Sequence, residues 1–289
     1  MARRTDRVVV KSNQLIEAAY HLSLAEQRLI LLAIANLDSQ ESLECKKPHI
    51  ITAADMERVY GLTVRNAYMA LTEVTERLYG RSVTIYNPFP DRPEVGKLET
   101  RWISSIRYVE SQGCVELIVA ADIIPFISQI RQRFTSYRLA YVARMSSAYA
   151  VRLYELLVQW RDRGDREVEL EWLRDRLQLD GRHANIRDFK RWVLVPAVDQ
   201  INACTDLVVS WSQRKAGRQV VALTFTFDQK KPQRLAQATI ETPRPKRITR
   251  PYIEKHARPG ETWEQAEARL RRQIDVSGPV HQSHFLQDR

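Results

Sequence analysis

Asn185-Ile-Arg-Asp-Phe-Lys-Arg-Trp-Val-Leu-Val-Pro-Ala-Val-Asp-Gln-Ile-Asn202 decides the fold. Ile186, Phe189, Val193, Ala197 and Ile201 recur at steps of three and four, the period of a helix with one inward stripe. Arg187, Lys190 and Arg191 fall off that stripe. Upstream, Leu170–Leu179 reads as a short helix and Asp180-Gly181 as the turn between the two. Downstream, Leu207–Ser212 and Val220–Phe227 alternate apolar and polar residues as strands do. The segment joining them, Gln213-Arg-Lys-Ala-Gly-Arg-Gln219, is a loop carrying three cations.

The same order of elements occurs between residues 52 and 119. Thr52-Ala-Ala-Asp55 opens a helix that ends near Tyr60-Gly61, where glycine can take the left-handed conformation. Thr63 can cap the next helix, whose inward stripe is Ala67, Leu71, Val74 and Leu78. Arg65, Asn66, Tyr68 and Met69 lie off the stripe near its start. Ser82–Tyr86 alternates like a strand and Asn87-Pro-Phe-Pro-Asp91 is a turn. Leu98–Val109 and Cys114–Val119 form a hairpin through Glu110-Ser-Gln-Gly113. Two helices at a tight turn followed by a β-ribbon outline a winged helix, a module that sets its second helix in the major groove of DNA and its hairpin against the backbone. The expected class is therefore α+β, with two tandem winged-helix domains. The expected spans are 1–130 for the first, 131–231 for the second with its linker helices, and 232–289 for a tail.

Between these copies the reading is less decided. Ser12 to Tyr20 is a short helix or turn. Ser23-Leu-Ala-Glu26 is a capping box. The helix behind it, Leu24–Leu37, is apolar over most of its circumference, so it is either buried or covered by a partner subunit. The second alternative predicts a dimer. Arg131 to Arg144 is either a solvated helix with an aromatic underside (Phe134, Tyr137, Tyr141) or a segment touching DNA backbone. Ser146–Arg163 reads as an amphipathic helix ended by Gly164. After Lys231, prolines punctuate a linker with the basic stretch Arg244–Arg250, then one short helix, Trp263 to Ile274.

A net charge of +10 on 289 residues favours a polyanionic partner. Cys45, Cys114 and Cys204 are far apart and odd in number, which fits a reduced compartment without disulfides. Met1–Arg7 is basic and polar, and the longest apolar run, Leu29–Ala35, is far too short to span a bilayer, so a cytoplasmic location is expected. No phosphate-binding glycine loop, nucleophile elbow or zinc-protease motif occurs. No enzymatic step, cofactor or metal is expected; His281 and His284 have metal-like spacing but no carboxylate or thiol close by.

The chemistry concentrates on the second copy. Asn185 can read adenine bidentately, Arg187 and Arg191 guanine, and Asp188 can accept from cytosine, with Lys190 beside them. Arg214, Lys215 and Arg218 at the hairpin tip suit phosphate contact, having no packing role. A solvated basic face is the bland alternative. In the first copy Arg65, Asn66 and Tyr68 take the corresponding places, with weaker charge. Pro196 removes a backbone donor inside the second helix, which should break or bend it at Leu194–Val195.

Val9-Val-Lys-Ser-Asn-Gln-Leu-Ile-Glu-Ala-Ala-Tyr20 and Leu22-Ser-Leu-Ala-Glu-Gln-Arg-Leu-Ile-Leu-Leu-Ala33 resemble the opening of the iteron-binding replication initiators of bacterial plasmids. Arg133–Tyr137, Tyr149–Leu157, Asp188–Ala197 and Gly217-Arg218 resemble later segments of that family, so the likeness covers roughly residues 8–228. Trp192 departs from the more basic residue of some relatives. The resemblance implies two winged-helix domains related by pseudo-symmetry. It implies monomers on direct repeats of a duplex origin, origin opening, and recruitment of the host initiator, helicase and primase. It also implies a homodimer that represses its own promoter at an inverted repeat, with the first domain as interface. The main base contacts would map onto Asn185 to Arg191. A plasmid or phage repressor without initiation activity is the alternative.

Overall fold

The computed structural model describes residues 7–37, 39–61, 67–179 and 181–230, together with residues 264, 265, 267 and 268. Residues 1–231 form one compact unit and 232–289 another. The four described tail residues are helical. The rest of the expected Trp263–Ile274 helix, the basic stretch, His281 and His284 lie outside the described residues, as do Thr63, Arg65, Asn66, Asp180 and the side chain of Ala67.

Both copies open with a strand that the sequence did not suggest. In the first, β2 (His49–Thr52) precedes α3 (Ala53–Tyr60) and α4 (Ala67–Tyr79), and β5 (Ile103–Val109) and β6 (Cys114–Val119) follow. In the second, β8 (Asp165–Glu169) precedes α7 (Leu170–Arg176), and β9 (Leu207–Ala216) and β10 (Gln219–Gln229) close the copy. The sheet orders are β2-β6-β5 and β8-β10-β9, so first, last and middle strand stand in the same antiparallel arrangement in each. Each extra strand is short and runs into a helix, which hides its period of two.

The expected strand Leu98–Val109 is divided. β4 (Lys97–Arg101) pairs with β3 (Ser82–Tyr86), whereas β5 pairs with β6. The switch falls at Trp102, which is fully buried and meets Tyr20 edge-on at 4.9 Å. Burying that ring turns the chain from one sheet to the next. The β3–β4 hairpin has no counterpart in the second copy.

The local capping signals operate as read. Ser23 and Glu26 form the box at the start of α2 (Leu24–Ala35), Thr52 and Asp55 the one at α3, and Gly61 ends α3 at φ 66°. The alternative of a partner-covered α2 is corrected. Leu29 through Ile34 are all buried within this one chain, against β1 (Val8–Ser12), β2, α3, α4 and α5 (Leu139–Ala143). The apolar excess is absorbed by elements on every side, so it provides no argument for a dimer.

Arg131 to Arg144 is not the solvated helix of the first reading, while Arg131, Arg133, Arg138 and Arg144 are exposed. β7 (Phe134–Arg138) pairs antiparallel with β1, with Val9 opposite the buried Tyr137, and α5 follows. Residues assigned from sequence to the second domain are thus joined to the first strand of the chain. α6 (Ala148–Val158) is shorter than expected, and Ala150 to Val158 are buried on all sides, Arg152 and Glu155 included.

Those two charges explain the burial. Glu155 accepts from Lys11 Nζ at 2.6 Å, Tyr137 OH at 2.6 Å and Arg152 at 2.9 Å. Arg152 also donates to Tyr20 OH and to the carbonyls of Ile16 and Ala18 in the segment that holds α1 (Asn13–Ile16). Burial opposes the ionised carboxyl most strongly, yet Lys11, Arg152 and the hydrogen bonds from Lys11 and Tyr137 together hold Glu155 below its usual range. Burial, aided by the like charge of Arg152, lowers Lys11. Two cations thus share one anion in the core.

Removing one partner of a buried pair strands the other charge, at about 3–5 kcal/mol. Glu155→Gln should therefore lower the unfolding free energy by about that much in urea titrations. Lys11→Met leaves the Arg152–Glu155 pair intact and should lose clearly less. Equal losses would show that the three charges do not act as two cations on one anion.

Candidate nucleic-acid interface

The turn before the second helix of the second copy is shaped by backbone conformation and one arginine. Gly181 and His183 sit at φ 76° and 55°. Arg174 of α7 donates to the carbonyls of His183 and Ala184, each at 3.0 Å, and lies over the Phe189 ring at 5.2 Å. Asn185 then caps the helix, its Oδ1 accepting from Arg187 N at 2.8 Å. The cap occupies one of the two acceptor sites of that oxygen, so the adenine-reading role expected of Asn185 would use the other together with its amide donors.

From this cap the helix runs as α8 (Ile186–Phe189), a π-helical turn (Lys190–Leu194) and α9 (Val195–Cys204). The break expected at Leu194–Val195 is absent. The N–H of Val195 bonds to the carbonyl of Lys190, five residues back, and helical dihedrals continue through Leu194 and Val195. Widening the helix just ahead of Pro196 accommodates its missing donor and its ring while helical dihedrals continue. Phe189, Val193, Ala197 and Ile201 are buried as expected and Ile186 is partly so.

Arg187, Asp188 and Arg191 are exposed on the outer side of this helix. Arg191 lies over the exposed Trp192 ring at 4.7 Å. Lys190 is half-buried, its ammonium 5.9 Å from the Trp211 ring of β9. The expected loop 213–219 is mostly strand: β9 and β10 continue to a tip at Gly217-Arg218, where Gly217 has φ 62°. Lys215 and Arg218 are exposed there. Arg214 differs from the expectation of no structural role. It donates to Glu167 of β8 at 3.0 Å, and Thr224 of the middle strand donates to the same carboxylate.

Tyr68 is half-buried in the first turn of α4. The hairpin tip of this copy is the polar turn Glu110–Gln112, and Arg107 of β5 is paired with Glu116 of β6 at 3.4 Å. The cationic wing therefore belongs to the second copy.

Sequence reading missed Arg174, Glu167 and Trp211, and it named Trp192 only as a departure from the family. Trp192 and Trp211 carried a signal, each being a large apolar residue beside the basic stretch or on an alternating strand. Glu167 and Arg174 carried none, since their partners are fixed by strand register and by the turn.

Residues 8–158 match the family model described as Initiator Replication protein, WH1, and residues 169–227 the one described as Initiator Rep protein, WH2. The chain belongs to this initiator replication protein family. A replication initiation protein of Escherichia coli is 25% identical over 231 residues, spanning 78% of this initiator and 70% of its relative. The PI protein of Escherichia coli is 24% identical over 245 residues, or 74% and 80% of the two chains. The crystal structure of the Pi initiator protein in complex with iteron DNA is similar in fold, with a TM-score of 0.65 over 77% of this chain and 97% of that one, at 24% identity. The two winged-helix domains read from sequence are thus those of an initiator. Among the described residues no helix is long and apolar enough to cross a membrane.

Asn185→Ala should remove the cap and cost about 1 kcal/mol in chemical denaturation, while Asn185→Asp, which keeps a cap oxygen, should leave stability near that of the parent. Equal losses in both would deny Asn185 its capping role.

Proposed function

We propose that this initiator binds repeated origin sites on plasmid duplex DNA, chiefly through the helix beginning at Asn185. The carrying observation is the exposed Arg187, Asp188 and Arg191 on the outer side of a rigid helix, beside a hairpin tip presenting Lys215 and Arg218. Arginines in a major groove suit guanine, and cations on a flanking wing suit phosphates. Half-buried Lys190 sits between the two surfaces, and Arg214, already paired with Glu167, stiffens the wing. Tyr68, with Arg65 and Asn66, would serve the first domain in a lesser contact. The iteron DNA of the Pi complex and the shared family support this reading.

In the same proposal the monomer occupies direct repeats, helps open the origin and brings in the host initiator, helicase and primase, while a dimer represses the initiator's own promoter at an inverted repeat. The dimer part rests on the family resemblance; its interface is not α2, which the chain buries by itself. The domain division at residue 131 is retained for DNA contacts alone, since β7 belongs to the first sheet by pairing.

Arg187→Ala or Arg191→Ala should lose about 1–3 kcal/mol on the specific repeat and much less on random duplex. Lys215→Ala with Arg218→Ala should weaken binding to every sequence and flatten the dependence of log K on log salt by roughly 1 per lost phosphate contact. The measurement is a salt series of binding isotherms on both duplexes. Equal losses of the helix variants on both would reduce the helix to a phosphate contact, and an unchanged salt slope would take the wing out of the interface. Deleting the reading frame from a plasmid with an intact origin should abolish replication; survival would leave a repressor.

A further inference from the structure

The β3–β4 hairpin is the element that the first domain has and the second lacks, and it is where the first domain meets α7. β3 is held firmly. Val83 and Ile85 are fully buried, and Thr84 exchanges two backbone hydrogen bonds with Ala19, at 2.8 and 2.9 Å. Ala18, next to it, accepts from buried Arg152. The strand ends at Tyr86, followed by Asn87 at φ 45°. Tyr86 OH donates to Asp175 of α7 at 3.3 Å, and the guanidinium of Arg176 lies 4.1 Å from the centre of the Tyr86 ring. Arg176 is also 4.9 Å from the Trp172 ring, which in turn has Arg166 at 5.0 Å.

Arg174, Asp175 and Arg176 are consecutive, and they point their chemistry two ways. Arg174 grips the turn from which the Asn185 helix starts. Asp175 and Arg176 grip the first domain. A few residues on, Arg182 of that same turn approaches His21 at 3.5 Å. The path from a rigid strand of one domain to the reading helix of the other is therefore very short. Beside it lies a cleft of about 430 Å³ lined by Asn13, Gln14, Asn87, Arg133 and Trp172 as well as Tyr86 and Arg176. Glu17 also lines the cleft and takes Arg166 of β8 at 2.7 Å, and α7 meets the first domain through a small set of side chains, of which Asp175 and Arg176, both on Tyr86, are those nearest the Asn185 helix in sequence.

On duplex DNA an added base pair displaces a half-site by about 3.4 Å and turns it by roughly 35°. If these side chains fix the junction, they hold two DNA-facing surfaces at one distance and one phase. We propose that Tyr86, Asp175 and Arg176 are positioning residues that set the spacing the initiator accepts between the part of its site read by the first domain and the part read by the second. This rests on the reading above that both domains touch duplex DNA.

The test is selection from a randomised duplex library with full-length parent, Tyr86→Ala, Arg176→Ala and Tyr86→Phe, followed by isotherms on the parent's selected site with single base pairs inserted or deleted between its halves. Thermal unfolding of each variant is recorded alongside. The parent should select two sequence blocks at one spacing and lose about tenfold or more for one inserted base pair. Arg176→Ala and Tyr86→Ala should select the same two blocks over neighbouring spacings, with that penalty reduced to about threefold or less. Tyr86→Phe, which keeps the ring under Arg176 but loses the bond to Asp175, should fall between the parent and the alanine variants. A role in stability alone would weaken binding at all spacings equally, and that outcome, or an unchanged penalty in both alanine variants, overturns the proposal. A parent that selects one block without any spacing preference would instead refute the two-domain reading, and the proposal with it.

Discussion

Glu155 is the one anion placed between Lys11 and Arg152 in the core, and much of the structure is organised by the need to neutralise it. Its partners come from three separate stretches: β1, the end of the α1 segment through Tyr20, and β7 through Tyr137. A buried carboxylate tolerates only arrangements in which its lone pairs are met, so these stretches must converge on α6. That convergence pairs β1 with β7 and fixes the carbonyls of Ile16 and Ala18 on Arg152. β1 is thereby tied through Lys11 to α6.

From α6 the constraint passes to the second domain by side-chain contacts. Tyr154 donates to Asp206 at the entry to β9, Gln200 of α9 accepts from the backbone of Ser146 and Ser147, and Arg166 of β8 pairs with Glu17 at 2.7 Å. The helix that begins at Asn185 is consequently held at its start by Arg174 and Asn185 and near its end by Gln200. Its π turn lets it continue past Pro196, so one helical element carries the exposed arginines at one end and the inward stripe to Ile201.

Much of this was legible in the sequence because it depends on neighbours. Capping boxes at Ser23–Glu26 and Thr52–Asp55, the glycine end of α3, and the stripe Phe189–Ile201 involve residues a few positions apart, where spacing dictates geometry. The repetition of helix, turn, helix and hairpin followed from such local signals. Short strands running into helices, β2 and β8, escaped because too few residues remained to show a period of two. Pro196 was legible as a disturbance, while its relief by a widened turn was not, since a kink and a π turn remove the same backbone conflict.

The sequence by itself determined the capped starts of α2 and α3, the inward stripe of the helix that begins at Asn185, and that cations gather around Asn185–Arg191 and the last hairpin. The tertiary structure alone decided what those residues do beside one another. It covered α2 from every side, engaged Arg214 with Glu167 across the middle strand, turned Asn185 to capping, and set Tyr86 against Arg176. The reason is that these contacts join residues far apart in the chain. Periodicity fixes the direction of a side chain relative to its own element, whereas the partner it meets is chosen by how elements pack, and here by buried charges that admit few ways of packing.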